Sequence, residues 1–306
     1  MLNKALYHAE KKTNFPNCKL VLLLSGIFSL MLLTSGCQKH QEFAPQTADT
    51  AAEKTPKESN SSQTANSETP AAPQVETIDP TMVIKAGQPM TAKRFNAVKA
   101  RLSQIGLAFH NFIDKNRYFL PSPEQHPEYY DESGRLKVSW RVHLLPFLDQ
   151  NPLYEQFKLD EAWDSPHNAP LAKKMPEAFH SPDTPIDSNL TRFRVFEGKW
   201  DKEKKSPSTV FPMGAPTRIR DVKDGSSNTT LVVEVGPDKA IEWTKPGGLN
   251  FEHPIEEFGA SASGIPVLLV DGSTKQIKRD ITESKWKEII GPQDLSRIDW
   301  KNIEVQ

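Results

Sequence analysis

Cysteine is nearly absent from this chain. Its 306 residues include two, Cys18 and Cys37, both near the start. Everything after Cys37 therefore folds without disulfides or thiolate metal sites. Long apolar runs are scarce as well. The longest, residues 20–33, spans about 14 residues, short of the roughly 20 that a membrane-spanning helix needs. Net charge is almost nil: 38 Lys and Arg against 39 Asp and Glu leave −1, which gives no electrostatic case for nucleic acid. His-x-His, His-Glu-x-x-His and Gly-x-Ser-x-Gly spacings are all missing, so the short signatures of metal-dependent and serine hydrolases are lacking.

What is present begins with a graded N-terminus. Lys11, Lys12 and Lys19 precede the apolar run, and Thr34-Ser35-Gly36 stand directly before Cys37. Basic, apolar and small-residue regions in that order make a secretory signal. With cysteine at the cleavage point, Leu33-Thr34-Ser35-Gly36-Cys37 resembles a bacterial lipobox, with Thr34 where leucine is commoner. The resemblance implies that residues 1–36 are a lipoprotein signal peptide. The Cys37 thiol then takes diacylglycerol, the signal is cut before it, and the new amine is acylated. The partner this predicts is the lipid bilayer, reached through acylated Cys37. Gln38, not aspartate, follows it, and by resemblance to lipoprotein sorting that points to the outer membrane. An uncleaved anchor and an ordinary secretory signal are the competing readings, and the shortness of the run argues against the first.

Residues 37–90 read as the lipidated cysteine and a disordered tether. From Gln38 to Pro80 the chain is rich in Ala, Ser, Thr, Gln, Glu and Pro, with Phe43 its lone aromatic. Such a stretch buries too little apolar surface to offset the entropy of ordering. About 40 residues of flexible coil have an r.m.s. span on the order of 35 Å.

The folded domain is expected over residues 91–306. Phe95, Val98, Leu102, Ile105, Phe109 and Phe112 recur at spacings of three and four, which predicts one apolar helix face ending near Asn116. Lys93, Arg94, Lys99, Arg101 and Gln104 fall on the other faces as a solvated basic surface. Ser139, Asn151-Pro152 and Ser165-Pro166 predict starts of short helices. Strands are expected at 192–196, 229–235 and 240–244, and Asp271-Gly272 predicts a hairpin between 266–270 and 274–278. Thr282 opens a last helix that stops at Gly291-Pro292. The fold class is α+β: a long N-terminal spine helix on a mostly antiparallel sheet, with short helices in the middle and one C-terminal helix.

These residues also carry a resemblance. Gln104-Ile105-Gly106-Leu107-Ala108-Phe109-His110-Asn111, then Ser139-Trp140-Arg141, then Trp163-Asp164-Ser165-Pro166 stand in order. Asp224-Gly225-Ser226-Ser227-Asn228-Thr229, Trp243-Thr244-Lys245-Pro246 and Asp271-Gly272-Ser273 follow. The series resembles an uncharacterised, pilin-like family of bacterial envelope proteins, a domain of unknown function sometimes carried under a solute-binding-protein label. The resemblance covers about residues 91–290 and implies a pseudopilin-like fold. Typical members begin with a prepilin-type helix continuous with the spine. This chain has a lipobox and tether there, so the resemblance does not extend to fibre assembly.

Several clusters contain chemistry-bearing types. Asp164, Ser165 and His167 hold the types of a hydrolase triad, but their setting reads as a helix cap. Asp221, Asp224 and Asn228 suggest calcium, yet their spacing fits a turn better. No catalytic residue, metal site or cofactor is predicted. Glu234 sits in an apolar strand and needs a partner if buried, with Lys245 or an arginine such as Arg141 as candidates. Trp140, Trp163, Trp243 and Lys245 form the candidate ligand or interaction surface, since an aromatic face with polar neighbours suits a sugar. For Trp243 a core role, as a tryptophan ending a strand, is the favoured reading over a sugar platform. The function expected is an exported, membrane-anchored lipoprotein of the cell envelope, a non-catalytic structural or interaction module whose open partners are an envelope protein or a glycan. The alternative is a solute- or glycan-binding module, and a hydrolase is the distant third.

Overall fold

The computed structural model describes residues 78–305 apart from Lys204, Asp294 and Ser296. The expected signal segment, Cys37 and most of the expected tether lie outside the described residues. Residues 79–90, grouped with the tether by composition, are fastened to the domain. The Ile84 N–H donates to Asp183 at 3.0 Å, the Gly87 N–H donates to the Ser261 carbonyl, and the Ser263 N–H donates to the Gln88 carbonyl.

The long helix runs Ala92–Asn116. Thr91 Oγ1 accepts the Arg94 N–H at 3.1 Å, supplying the N-cap. Arg117 ends it in the left-handed conformation, with its N–H on the Ile113 carbonyl at 2.7 Å. Val98, Leu102, Ile105, Phe109 and Phe112 are buried, while Phe95 at the first turn is half-buried. The helix lies on a four-stranded antiparallel sheet ordered Thr274–Lys278, Gly264–Leu269, Thr230–Glu234, Phe193–Arg194. Close approach is possible because Gly106 faces that sheet. A Cβ there would lie 3.1 Å from Leu268 and 3.5 Å from the Gly272 backbone. One turn on, His110 Nε2–H donates to the Val270 carbonyl at 2.7 Å. The expected hairpin forms, with Gly272 at φ 85° and Asp271 accepting the Ser273 N–H at 2.8 Å.

Both central strands are buried along their whole length, because the sheet is covered on two sides. Val232 and Leu268 pack with the long helix. Their neighbours Val233, Val267 and Leu269 pack with Trp286, Ile289 and Ile290 of the helix Glu283–Ile290. Alternation along a strand sends successive side chains to opposite faces, and two covered faces remove the polar half of the pattern.

Some expectations need correction. Residues 192–196 split between two sheets: Phe193–Arg194 ends the antiparallel one, and Phe196–Gly198 begins another. This second sheet is parallel, with Phe196–Gly198 between Phe211–Pro212 and Leu249–Asn250. Ile241–Glu242 pairs with Leu190–Thr191, outside the main sheet. A short helix, Trp300–Ile303, follows the expected last one. Arg94 is not on a solvated face. It is buried and binds the buried Glu234 through Nη1 to Oε2 at 2.7 Å and Nη2 to Oε1 at 2.8 Å. Arg192 and Asp183 complete the cluster. Neither Lys245 nor Arg141 is the partner of Glu234. Arg141 is fully buried, donating to Ser139 Oγ at 2.8 Å and to the Phe193 carbonyl, with its guanidinium 4.4 Å from the Trp140 ring centroid. Burial pushes its pKa well down.

Candidate functional site

A small pocket of about 50 Å³ lies beside the parallel sheet. Its first wall is a tight turn. Asp131 Oδ1 accepts the N–H groups of Ser133 and Arg135, each at 2.9 Å, and Gly134 follows at φ 78°. This turn meets a second glycine loop: the Gly214 N–H donates to the Gly134 carbonyl at 3.0 Å. The opposite wall is Pro246-Gly247-Gly248. A Cβ at Gly248 would sit 2.6 Å from the Glu197 backbone nitrogen, so only glycine lets this loop lie so close to the sheet.

Trp140, Val195 and Phe211 line the pocket from the core side. The Trp140 ring stacks on Phe109 at 5.1 Å, and its indole N–H is buried without a hydrogen-bond partner. Such a group costs free energy unless something accepts from it. The rim is an ion pair. Arg135 donates from Nε and Nη2 to Glu197, both at 3.2 Å, and Glu197 also accepts the Gly248 N–H at 2.9 Å. The hydrogen bond to Glu197 raises the Arg135 guanidinium pKa further.

The predicted aromatic surface does not assemble. Trp243 is wholly buried, donating from Nε1 to the Ala172 carbonyl at 2.7 Å and stacking on Phe179 at 5.9 Å. It is a core residue, and so is most of Trp140. The physical reason is that the surrounding irregular segment, 139–180, folds its own apolar residues over them. Trp163 is half-buried and Lys245 exposed, with the Lys245 ammonium 5.4 Å from the Trp163 centroid. They keep each other's company, and of the four only Trp140 reaches the pocket. Arg135 and Glu197 carried no sequence signal. The glycine pairs did: Asp131-Glu132-Ser133-Gly134, Met213-Gly214 and Gly247-Gly248 mark three close turns.

The triad types occupy capping roles. Ser165 Oγ donates to Glu161 at 3.0 Å and accepts the Asn168 N–H at 3.1 Å, while His167 Nε2–H donates to the Gln156 carbonyl. Asp221 accepts the Arg218 N–H at 2.9 Å, and Asn228 donates to the Asp224 carbonyl at 2.9 Å, so the suspected calcium residues close turns. Among the described residues no group of three or more His, Cys, Asp or Glu is placed to hold a metal, and no helix is long and apolar enough to cross a membrane.

His143 is buried beside Tyr129 with Nε2 unpartnered. Burial, with a smaller push from His126, lowers its pKa from 6.5 to about 3. The unfolded chain therefore takes up a proton near pH 6.5 that the folded one refuses. Stability is full above that pH and falls as the pH drops, by up to about 1.4 kcal/mol per unit. Urea midpoints measured between pH 7 and 4.5 should fall less steeply for His143→Phe than for the parent. Equal slopes would refute the assignment.

A family model matches residues 94–288, a span that holds all but the first two residues of the long helix, the central strands and the whole pocket. Its description is SBP_bac_10, protein of unknown function (DUF1559). No curated protein and no solved structure shows significant similarity. With well over half of its length matched, this chain belongs to the DUF1559 family, whose label is that of a solute-binding protein.

Proposed function

We propose that the protein is an exported lipoprotein of the cell envelope, held to a membrane by acyl chains on Cys37, whose domain acts by contact and not by catalysis. The observation that carries this is the order of the N-terminus: a short apolar run, Leu33-Thr34-Ser35-Gly36-Cys37, a long polar stretch, then a domain. Several acyl chains hold a protein firmly where one does not. The long helix laid across an antiparallel sheet supports a pseudopilin-like ancestry, and the outer membrane is the expected address. In fractionated cells the parent should sediment with membranes, and Cys37→Ser should move it to the soluble fraction. A parent found in the cytosol sinks the reading.

A second reading has its own support. The pocket between Arg135, Glu197 and Trp140 is small, but it is largely apolar and bounded by a few fixed polar groups, the kind of lining that small-ligand sites have. Together with the family label, it favours a tethered solute-binding module.

A further inference from the structure

A larger concave space lies at the C-terminal end of the long helix. An open groove of about 810 Å³ separates that end from the short turn Ile219–Asp221. Its size is that of small-molecule sites, and it shares no lining residue with the small pocket by the parallel sheet. Arg117, Arg218 and Arg220 line it together with the Tyr118 ring, and Ile113 and Ile219 supply its apolar part.

The arginines are sparsely answered. Asp114 is the one carboxylate in the lining. It meets Arg117 at 3.8 Å, between side chains 89 and 78% exposed, and such a pair is weak. Among the described residues neither the Arg218 nor the Arg220 guanidinium has an ion-pair partner within 4 Å. Asp221 and Glu124 act on Arg218 only from longer range. The Lys223 ammonium, on the Arg220 carbonyl at 2.8 Å, offsets one of them. The carbonyl end of the helix adds about half a negative charge. What remains is a small positive surplus carried by fork-shaped donors.

Arg218 is also held in place. Its guanidinium lies 4.5 Å from the Tyr118 ring centroid and donates from Nη2 to the Tyr118 hydroxyl. Stacking and one hydrogen bond fix its plane and leave most of its N–H groups uncommitted. A fixed fork receives a carboxylate with little further loss of entropy. Arg135, at the small pocket, already spends its fork on Glu197.

We propose that this groove binds a small organic monocarboxylate, its head between Arg218 and Arg220 and its carbon body along Ile113 and Ile219. A doubly charged phosphate exceeds the surplus, and a bare inorganic ion leaves the apolar part of the lining uncovered. The site is additional to the small pocket and does not depend on it.

The test is calorimetry of the full-length protein in detergent, at low salt, with benzoate, phenyl phosphate and benzyl alcohol. Benzoate should bind saturably, more weakly as salt is added, and benzyl alcohol should not bind. Arg220→Gln, at an exposed side chain, should weaken benzoate about tenfold. Lys99→Gln removes the same charge from an exposed position of the same helix outside the groove and should leave binding unchanged. Thermal melts matching the parent confirm that both variants are folded. No heat with benzoate, or equal losses in the two variants, overturns the site. Binding that survives Arg220→Gln and disappears in Arg135→Gln overturns it as well and assigns the anion to the small pocket. Phenyl phosphate bound more tightly than benzoate overturns the monocarboxylate class.

Discussion

Glu234→Gln should cost about 3–5 kcal/mol of stability, the range for breaking a buried ion pair from one side. Glu234, Arg94, Arg192 and Asp183 are all buried, with side-chain exposures of 0, 1, 3 and 6%. Two arginines face two carboxylates, so the cluster is neutral as a unit. Glutamine keeps the shape and one acceptor but leaves two guanidinium groups facing a single carboxylate. For a domain of this size the loss lowers the melting temperature on the order of 10 °C. The same cluster gathers the start of the domain, since Arg94 Nε donates to the Met82 carbonyl at 2.7 Å and Asp183 holds Ile84. Protease cleavage near residues 80–90 should therefore speed up in the variant.

The cluster also sets an acid limit. Burial alone would raise the Glu234 carboxyl, but hydrogen bonding and charge from Arg94, then Arg192, outweigh it and hold the pKa below its ordinary 4.5. A depressed carboxylate stabilises the fold above the unfolded value and loses that contribution as pH falls below it. Glu234→Gln should remove this part of the acid transition. A variant within about 1 kcal/mol of the parent would show the pair to be worth no more than a surface one.

The second large effect is expected at Trp243. Trp243→Ala should cost about 3–5 kcal/mol, as truncation of a buried aromatic does. The indole fills the space between Phe157 and Phe179, at 5.8 and 5.9 Å. Removing it also strips the Ala172 carbonyl of its donor. Trp163→Ala, at a half-buried ring covered only by the exposed Lys245 side chain, should cost only about 1 kcal/mol. Equal losses in chemical denaturation would contradict the division of these two tryptophans into core and surface.

That division marks where the sequence ran out. Trp140, Trp163 and Trp243 are alike in composition of their surroundings, and nothing local says which are covered. Burial was decided by residues 139–180, whose short helices and turns have no period to read. The long helix was legible because its apolar positions repeat over several turns. Its end near Asn116 was legible too, where the apolar repeat stops. The hairpin at Asp271-Gly272 was legible from its turn residues. Within Gln104-Ile105-Gly106-Leu107-Ala108-Phe109-His110-Asn111, the pattern now has a physical cause: Gly106 admits the sheet and His110 bonds to its hairpin.

Arg94 was misplaced because helix periodicity assigns faces by hydrophobicity, and an arginine sharing a buried edge with a strand acid 140 residues away breaks that rule. Glu234 was recognised as needing a partner, but several arginines satisfied the need equally on paper. Little of the pocket was legible: of its lining the sequence reading named only Trp140 and the Pro246-Gly247-Gly248 stretch, and Arg135 and Glu197 are ordinary charged residues until folding brings them together.

The central claim is an exported domain on a lipid anchor. The most direct measurement is the intact mass of the native protein, with the mass of its N-terminal peptide. The account predicts a chain that starts at Cys37 and carries acyl chains on that residue. A chain that begins at Met1, or a Cys37 with a free thiol and unmodified amine, would contradict it.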